Sequence, residues 1–340
     1  MPKQKKPLEV ITENSKSSNI NLNHSFDRNP GIELELDWIH EIRVNRSAIE
    51  RRTNSLPKRR TVKKSWQVAW MLKAVSCIDL TTLAGDDTPG RVHRLSAKAK
   101  QPIRQDILSG FGFNNNELHV GAVCVYHQLI EPVKEALKGT NIPIAAVSTG
   151  FPAGQTPHDI KIEEIKRSVK AGANEIDIVI SRANVLNSDW EALYQEVKDF
   201  REACGEAHLK TILATGDLGT LTQVQKASMV CMMAGADFIK TSTGKEPVNA
   251  TLPVSLTMVR AIRDYYNITG NIVGFKPAGG IKTAKESVQW LLLMKEELDN
   301  RWLEPNLFRL GASSLLADIE RQLEFHQSGV YSAYHRHPMN

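Results

Sequence analysis

Eight short apolar segments recur between residues 74 and 311, most of them followed by a longer amphipathic stretch, and this alternation constrains the fold more than any other feature of the chain. The segments are 74–79 (AVSCID), 119–125 (HVGAVCV), 143–149 (PIAAVST), 175–180 (EIDIVI), 209–214 (LKTILA), 236–241 (ADFIKT), 271–276 (NIVGFK) and 307–311 (LFRLG). Their C-terminal ends lie about 33 residues apart on average, the size of one strand–helix unit. Most are continuous apolar runs, as expected of strands covered on both faces. The stretches between them carry helical signals. Residues 187–204 open on the capping types Asn187, Ser188 and Asp189 and set Leu193, Val197 and Phe200 on one face. Residues 284–299 set Val288, Leu291, Leu292 and Leu298 in the same way. Eight such units in about 275 residues predict an α/β chain folded as a TIM, or (β/α)8, barrel. The competing arrangement is a doubly wound open sheet. It would carry a G-x-G-x-x-G turn after its first strand, and none is present.

The rest of the chain reads as an appendage. Residues 1–30 are rich in Lys, Asn and Ser and predict disorder. Residues 31–50 hold Leu36, Ile39, Ile42 and Val44 at spacings that suit a helix, and residues 51–64 form a basic linker with seven Lys/Arg in fourteen positions. The expected division is an extension over 1–64, a barrel over 65–325 and a C-terminal tail over 326–340. Of the net charge of +5, residues 1–60 carry +4, so the barrel is nearly neutral and charge-based arguments for a nucleic-acid partner apply only to the extension. No apolar run of about 18 residues predicts a membrane span. The polar first 30 residues argue against a secretory leader. Cys77, Cys124, Cys204 and Cys231 are far apart with no C-x-x-C pair, which suits reduced cytosolic usage and no zinc site.

Barrel chemistry belongs at the C-terminal ends of the strands. Those ends carry Asp79, Asp177, Lys240 and Lys276 among apolar neighbours. Any one of them alone is explained equally well as half of an ion pair tying strands together. All four at one end of a barrel point to chemistry. Lys240 and Lys276 fall on neighbouring strands about 4.8 Å apart. Two ammonium groups that close repel, desolvation adds to the repulsion, and one of them loses its proton more readily. A neutral amine attacks carbonyls and forms a Schiff base, and Asp177 is placed to move protons. The loops after the last three strands read Gly244-Lys245, Gly279-Gly280 and Gly311-Ala312-Ser313-Ser314. Glycines let backbone N–H groups approach an anion, with Lys245 or Lys282 adding charge, and barrel phosphate sites recur at such loops. A single Gly pair is more simply a tight turn, but three converging loops favour a ligand.

The strings IDLTTL (78–83), EIDIVI (175–180), FIKTSTGK (238–245), GFKPAGGIK (274–282) and GASSLL (311–316), in this order, resemble the deoxyribose-phosphate aldolase family over about residues 64–340. AHLKTILATGDLGTL and the terminal AYHRHPMN are similar to animal members. The resemblance implies a class I aldolase that cleaves 2-deoxy-D-ribose 5-phosphate to D-glyceraldehyde 3-phosphate and acetaldehyde, without metal or other cofactor. It implies Lys240 as the Schiff-base lysine, Lys276 as the neighbour that lowers its pKa, Asp177 as the proton relay and Asp79 as a support for Lys276. Gly244, Lys245, Gly279, Gly280, Lys282, Gly311, Ser313 and Ser314 would hold the phosphate. Three positions depart from the family pattern. Lys282 stands where arginine is common, so a forked clamp becomes a point charge. Asp217 stands where glutamate is usual. Tyr334 is followed by six further residues, whereas some bacterial members end in a tyrosine that reaches the site, so the role of Tyr331 or Tyr334 is open.

The expected partner is a small phosphorylated sugar in the cytoplasm, with a homo-oligomer and a nuclear fraction allowed, no membrane partner, and nucleic acid disfavoured. Three rival readings stand beside this one. Another Schiff-base barrel lyase would act on a different phosphorylated sugar. An added RNA-binding role would use the basic run, which lacks the interleaved aromatics of single-strand binders. A catalytically silent scaffold would not need every expected position filled.

Overall fold

The computed structural model describes residues 28–58, 62–113 and 117–337. Of the expected disordered tail and basic linker, residues 1–27 and 59–61 lie outside the described residues. Eight parallel strands follow one another in chain order. They are β1 (Ile78–Thr81), β2 (Ala122–Tyr126), β3 (Ile144–Ser148), β4 (Glu175–Val179), β5 (His208–Ile212), β6 (Phe238–Lys240), β7 (Gly274–Lys276) and β8 (Leu310–Ala312). β1 pairs with both β2 and β8. The barrel closes through bridges Phe275–Phe308 and Ala278–Gly311 between β7 and β8. This is the (β/α)8 barrel that the spacing of the apolar runs predicts.

Both faces of the sheet are buried, but they hold different residues. Outward positions such as Leu80, Val123, Ile176, Ile178, Leu209, Ile239, Phe275 and Leu310 join the large apolar core beneath the helices. On the inward face Cys124, Ala145 and Val147 form a small separate cluster on the β2–β3 side, and buried Val179, Ile212 and Phe238 add apolar side chains on β4–β6. The barrel interior also carries buried charge. Because side chains alternate between faces, an apolar run that looks uniform can hide charged residues at its inward positions, as Glu175 and Asp177 do in β4.

The helix ends match their sequence signals. The helix Trp190–Ala203 starts on Asp189, which accepts from the Ala192 N–H. The helix Ala284–Glu297 starts on a capping box between Thr283 and Glu286. The first strand differs from its expected span of 74–79. Residues 74–76 finish the helix Ser65–Ser76, and the Cys77 N–H bonds back to the Ala74 carbonyl. Ala74 and Val75 are buried on that helix, so an apolar run shared by a helix end and a strand start reads as one strand. The single helix expected within 31–50 is two, Leu36–Glu41 and Arg46–Ser55, because Asn45 caps the second by accepting from the Ala48 N–H.

Residues 28–30, expected to be disordered, are docked on the barrel. Asn29 is 1 % exposed. Its N–H donates to Asp237 Oδ1 at 3.0 Å, and its side-chain amide donates to the Met232 and Ala236 carbonyls at 2.7 and 2.9 Å. The Tyr265 hydroxyl donates to Asn29 Oδ1 at 3.1 Å. Gly31 follows at φ +73°, where a Cβ would lie 2.5 Å from the Met233 carbonyl oxygen. Ile39, Ile49 and Leu56 enter the main apolar core, and Arg52 of the basic run pairs with Glu296 and Glu297 at 2.8 and 2.9 Å. The extension is therefore a strap across the strand N-terminal ends and neighbouring helices. Asn29→Ala should lower the free energy of unfolding by about 1–3 kcal/mol by leaving buried partners unpaired, with kcat unchanged. Urea denaturation and an activity assay on the same protein check it.

Candidate active site

Asp79, Asp177, Lys240 and Lys276 come from β1, β4, β6 and β7 and meet inside the barrel, none more than 3 % exposed. Lys240 and Lys276 are register partners on neighbouring strands. Both ammonium groups donate to the same oxygen, Asp177 Oδ2, at 2.7 Å each. Lys276 is also ion-paired with Asp79. Gly311 makes this possible on β8. A Cβ there would lie 2.7 Å from that of Ala278 and 3.5 Å from Lys276 Cε, so the lysine stem runs over bare backbone.

Three further charged residues complete the cluster. Lys210 on β5, the register partner of Asp177, donates to Asp177 Oδ1 at 3.1 Å and is ion-paired with Glu175. Arg309, just before β8, reaches Asp79 Oδ1 at 2.5 Å and Glu175 Oε1 at 2.8 Å. None of the three was a candidate in the sequence, although each left a signal: a charged side chain inside an apolar strand run, as in EIDIVI, HLKTIL and LFRLG.

Electrostatics separates the two facing lysines. Burial pushes Lys240 below the ordinary lysine value; Asp177 opposes this and Lys276 adds to it. Burial acts on Lys276 too, but Asp177 and Asp79 together outweigh it and hold its ammonium above the ordinary value. Lys210 is likewise raised against burial by Asp177 and Glu175. Burial works against the charge of Asp177 as well, yet Lys210, Lys240 and Lys276 hold its carboxyl well below the usual carboxylate range. Lys240 is thus the lysine placed to be a free amine beside a fixed positive charge, which suits nucleophilic attack on a carbonyl.

The loops nominated for phosphate adjoin at the strand C-terminal ends. Gly244 and Gly279 approach closely enough that a Cβ on Gly244 would lie 3.9 Å from Gly279 Cα. Gly279 and Gly280 sit at φ +82° and +84°, a region that favours glycine. Ser313 and Ser314 are exposed at the start of the helix Leu315–Ser328, and the side chains of Lys245 and Lys282 are exposed as well. Several N–H groups of the nominated residues are already engaged, among them that of Gly311, which donates to the Pro277 carbonyl at 2.9 Å. The Gly244 N–H, with the Thr243 N–H and hydroxyl, donates to the Glu246 carboxylate at 2.8–3.2 Å. The Lys282 N–H donates to Glu286 at 2.9 Å within the capping box. Gly311 lies in β8 itself, so its part is room for Lys276 rather than an open loop. In the C-terminal tail the Tyr334 side chain lies outside the described residues, and Tyr331 packs on its own preceding helix. The Tyr331 ring stacks on Phe325 at 4.2 Å with its hydroxyl 3.3 Å from Gln322 Oε1, and buried His337 is held by Glu320 and Glu324 at 2.9 and 3.0 Å.

Among the described residues no group of three or more His, Cys, Asp or Glu side chains is arranged to hold a metal ion, and no helix is long and apolar enough to cross a membrane. The fold is shared with solved structures of low sequence identity. A putative deoxyribose-phosphate aldolase from Toxoplasma gondii superposes with a TM-score of 0.64 at 21 % identity, covering 79 % of this chain and 97 % of that one. A deoxyribose phosphate aldolase from Aeropyrum pernix, described as tetrameric, gives 0.56 at 22 % identity over 78 % of this chain and 98 % of that one. In sequence the chain is 59 % identical to the deoxyribose-phosphate aldolase of Homo sapiens over 314 residues, covering 92 % of this chain and 99 % of that one. It is 60 % identical to that of Mus musculus over 312 residues, covering 91 % and 98 %. The model of DeoC/LacD family aldolases matches residues 73–298. With that match spanning the barrel and its buried lysines, the chain belongs to the DeoC/LacD family of aldolases.

Proposed function

We propose that this chain is a class I aldolase that cleaves 2-deoxy-D-ribose 5-phosphate into D-glyceraldehyde 3-phosphate and acetaldehyde through a Schiff base on Lys240. The observation that carries the reading is the buried Lys240 amine, bonded among the described residues to Asp177 alone, in a cluster where two carboxylates hold Lys276 in its charged form. Relatives named for this reaction at 59–60 % identity support the choice of substrate. The catalytic unit is the barrel, residues 65–325, preceded by the extension 1–64, of which residues 28–58 form the strap, and followed by a tail over 326–340. A homo-oligomer in the cytoplasm fits the same reading, which the tetrameric relative supports.

The steps follow from the chemistry of the cluster. Neutral Lys240 attacks C1 of the open aldehyde, and loss of water, with protons supplied through Asp177 and Lys276, leaves a protonated imine. The imine draws electrons from C2. Removal of the C3 hydroxyl proton, through a water held by Asp177 and Lys276, forms the C3 carbonyl and breaks the C2–C3 bond, whose electron pair flows into the imine. Glyceraldehyde 3-phosphate leaves an enamine, which is protonated at carbon and hydrolysed to acetaldehyde. Asp79 holds Lys276 in place from the side away from Lys240. Gly279, Gly280, Ser313 and Ser314, with Lys245 and Lys282 as point charges, anchor the phosphate. Binding energy at the remote end then serves to orient C1 and C3. Gly244 takes part only through its backbone shape while Glu246 keeps its N–H.

Reduction with borohydride in the presence of acetaldehyde, followed by peptide mass mapping, should trap an ethyl group on Lys240; an adduct on another lysine overturns the reading. Lys276→Leu removes the fixed charge beside Lys240, so the acid limb of kcat/KM should move to higher pH by about one unit, and the rate should fall by about 10²-fold. Ser314 makes no capping hydrogen bond, so Ser314→Asp costs the helix nothing and places a carboxylate where the phosphate would lie. It should raise KM for the phosphorylated sugar by about tenfold, roughly the effect of 1.4 kcal/mol, and leave turnover of unphosphorylated 2-deoxyribose unchanged.

A further inference from the structure

The seven buried charges are not a loose cluster. Six of them close a ring of alternating sign: Asp79, Lys276, Asp177, Lys210, Glu175, Arg309 and back to Asp79. Arg309 makes the closure with its fork, Nη1 on Asp79 Oδ1 at 2.5 Å and Nη2 on Glu175 Oε1 at 2.8 Å. Room for it comes from Gly121, where a Cβ would lie 3.1 Å from Arg309 Cδ. Three carboxylates and three cations make the ring neutral. Lys240 is the seventh group and hangs on it by one contact, Asp177 Oδ2 at 2.7 Å. No residue of the seven is more than 4 % exposed, so solvent screens these charges little. A protonated Lys240 therefore gives the compartment one uncompensated positive charge.

We propose that Glu175 and Arg309, which touch neither Lys240 nor Asp177, are positioning residues of the reaction: by closing the ring they hold it neutral and so fix the charge state of the Lys240 amine. The inference rests on Lys240 being the nucleophile. The other groups around Lys240 leave this role to the ring. Asp177 from β4 and Lys276 from β7 are themselves ring members. Lys210 from β5 stands behind Asp177, with Nζ 5.8 Å from the centre of the Phe238 ring. Cys124 from β2 is a buried thiol whose pKa is raised by burial, so it stays neutral. At the remote side Glu175 has His208 as its register partner on β5, and His208 in turn interacts with Asp237. Burial holds His208 below its ordinary value, while Asp237 is engaged by Arg28 and the strap.

The test uses opposite signs. Glu175→Gln removes a negative charge from the ring without changing its shape, so Lys240 sheds its proton more readily. Arg309→Met removes a positive charge, so Lys240 holds its proton more tightly. The acid limb of kcat/KM should move down by about one pH unit in the first variant and up by about one in the second, the size expected of one charge acting from beyond the contact shell at an effective dielectric of about 20. In the double variant it should return to within about 0.3 unit of the parent. The midpoint of the limb does not depend on the fraction of enzyme that is folded. If Arg309→Met yields no soluble enzyme, Arg309→Lys keeps the charge and should leave the limb unmoved while Glu175→Gln still lowers it. Shifts of the same sign in the two single variants, or no shift in Glu175→Gln, overturn the inference. Borohydride trapping with acetaldehyde across the same pH range reads the Lys240 amine without turnover. A trapped lysine other than Lys240 would defeat the proposed function, whereas trapping on Lys240 with an unmoved pH dependence defeats the ring alone.

Discussion

Asp177 holds the centre of this molecule together. One of its oxygens receives both Lys240 and Lys276, and the other receives Lys210. Burying seven charged groups is expensive, and apolar residues of similar volume would make a more stable barrel. The structure offsets the desolvation by giving every carboxylate of the cluster at least two cationic partners from other strands. What the arrangement secures is difference. Two lysines side by side on paired strands end up with opposite tendencies because one has two carboxylates and the other has one.

The barrel keeps anchoring and chemistry apart. The N-terminal strap engages Asp237, Met232 and Ala236, which feed the start of β6, and Arg28 reaches the Ala207 carbonyl just before β5. The C-terminal tail folds back along the helix Leu315–Ser328, pinned by buried His337. The strap acts at the start of the strands, opposite the exposed loops that carry Lys245, Lys282 and Ser314, and in barrels such loops are the part shaped for a ligand.

The legible part of the site came from polar residues that break an apolar pattern at a strand end, as Lys240 does in FIKTSTGK and Lys276 in GFKPAGG. Glu175, Lys210 and Arg309 obey the same pattern but lie one or two residues deeper, where a charge reads as an ordinary ion pair. Glu175 and Arg309 are 134 residues apart in the chain, so nothing local links them. The glycine-rich loops were legible as turns, yet a carboxylate two residues beyond Gly244 already holds its N–H. Sequence spacing cannot distinguish a donor that is free from one that its own loop has used.

The residues by themselves determined the eight strand–helix units and the barrel they close, and pointed to the two lysines proposed to react, because periodicity and local capping are properties of neighbouring residues. The tertiary structure decided how the electrostatic settings of the two lysines differ and which charges surround them. It also turned the supposed appendage from residue 28 onward into a strap. Those outcomes depend on distances between strands and on burial, and the sum of charges in a closed compartment exists only once the barrel has brought its members together.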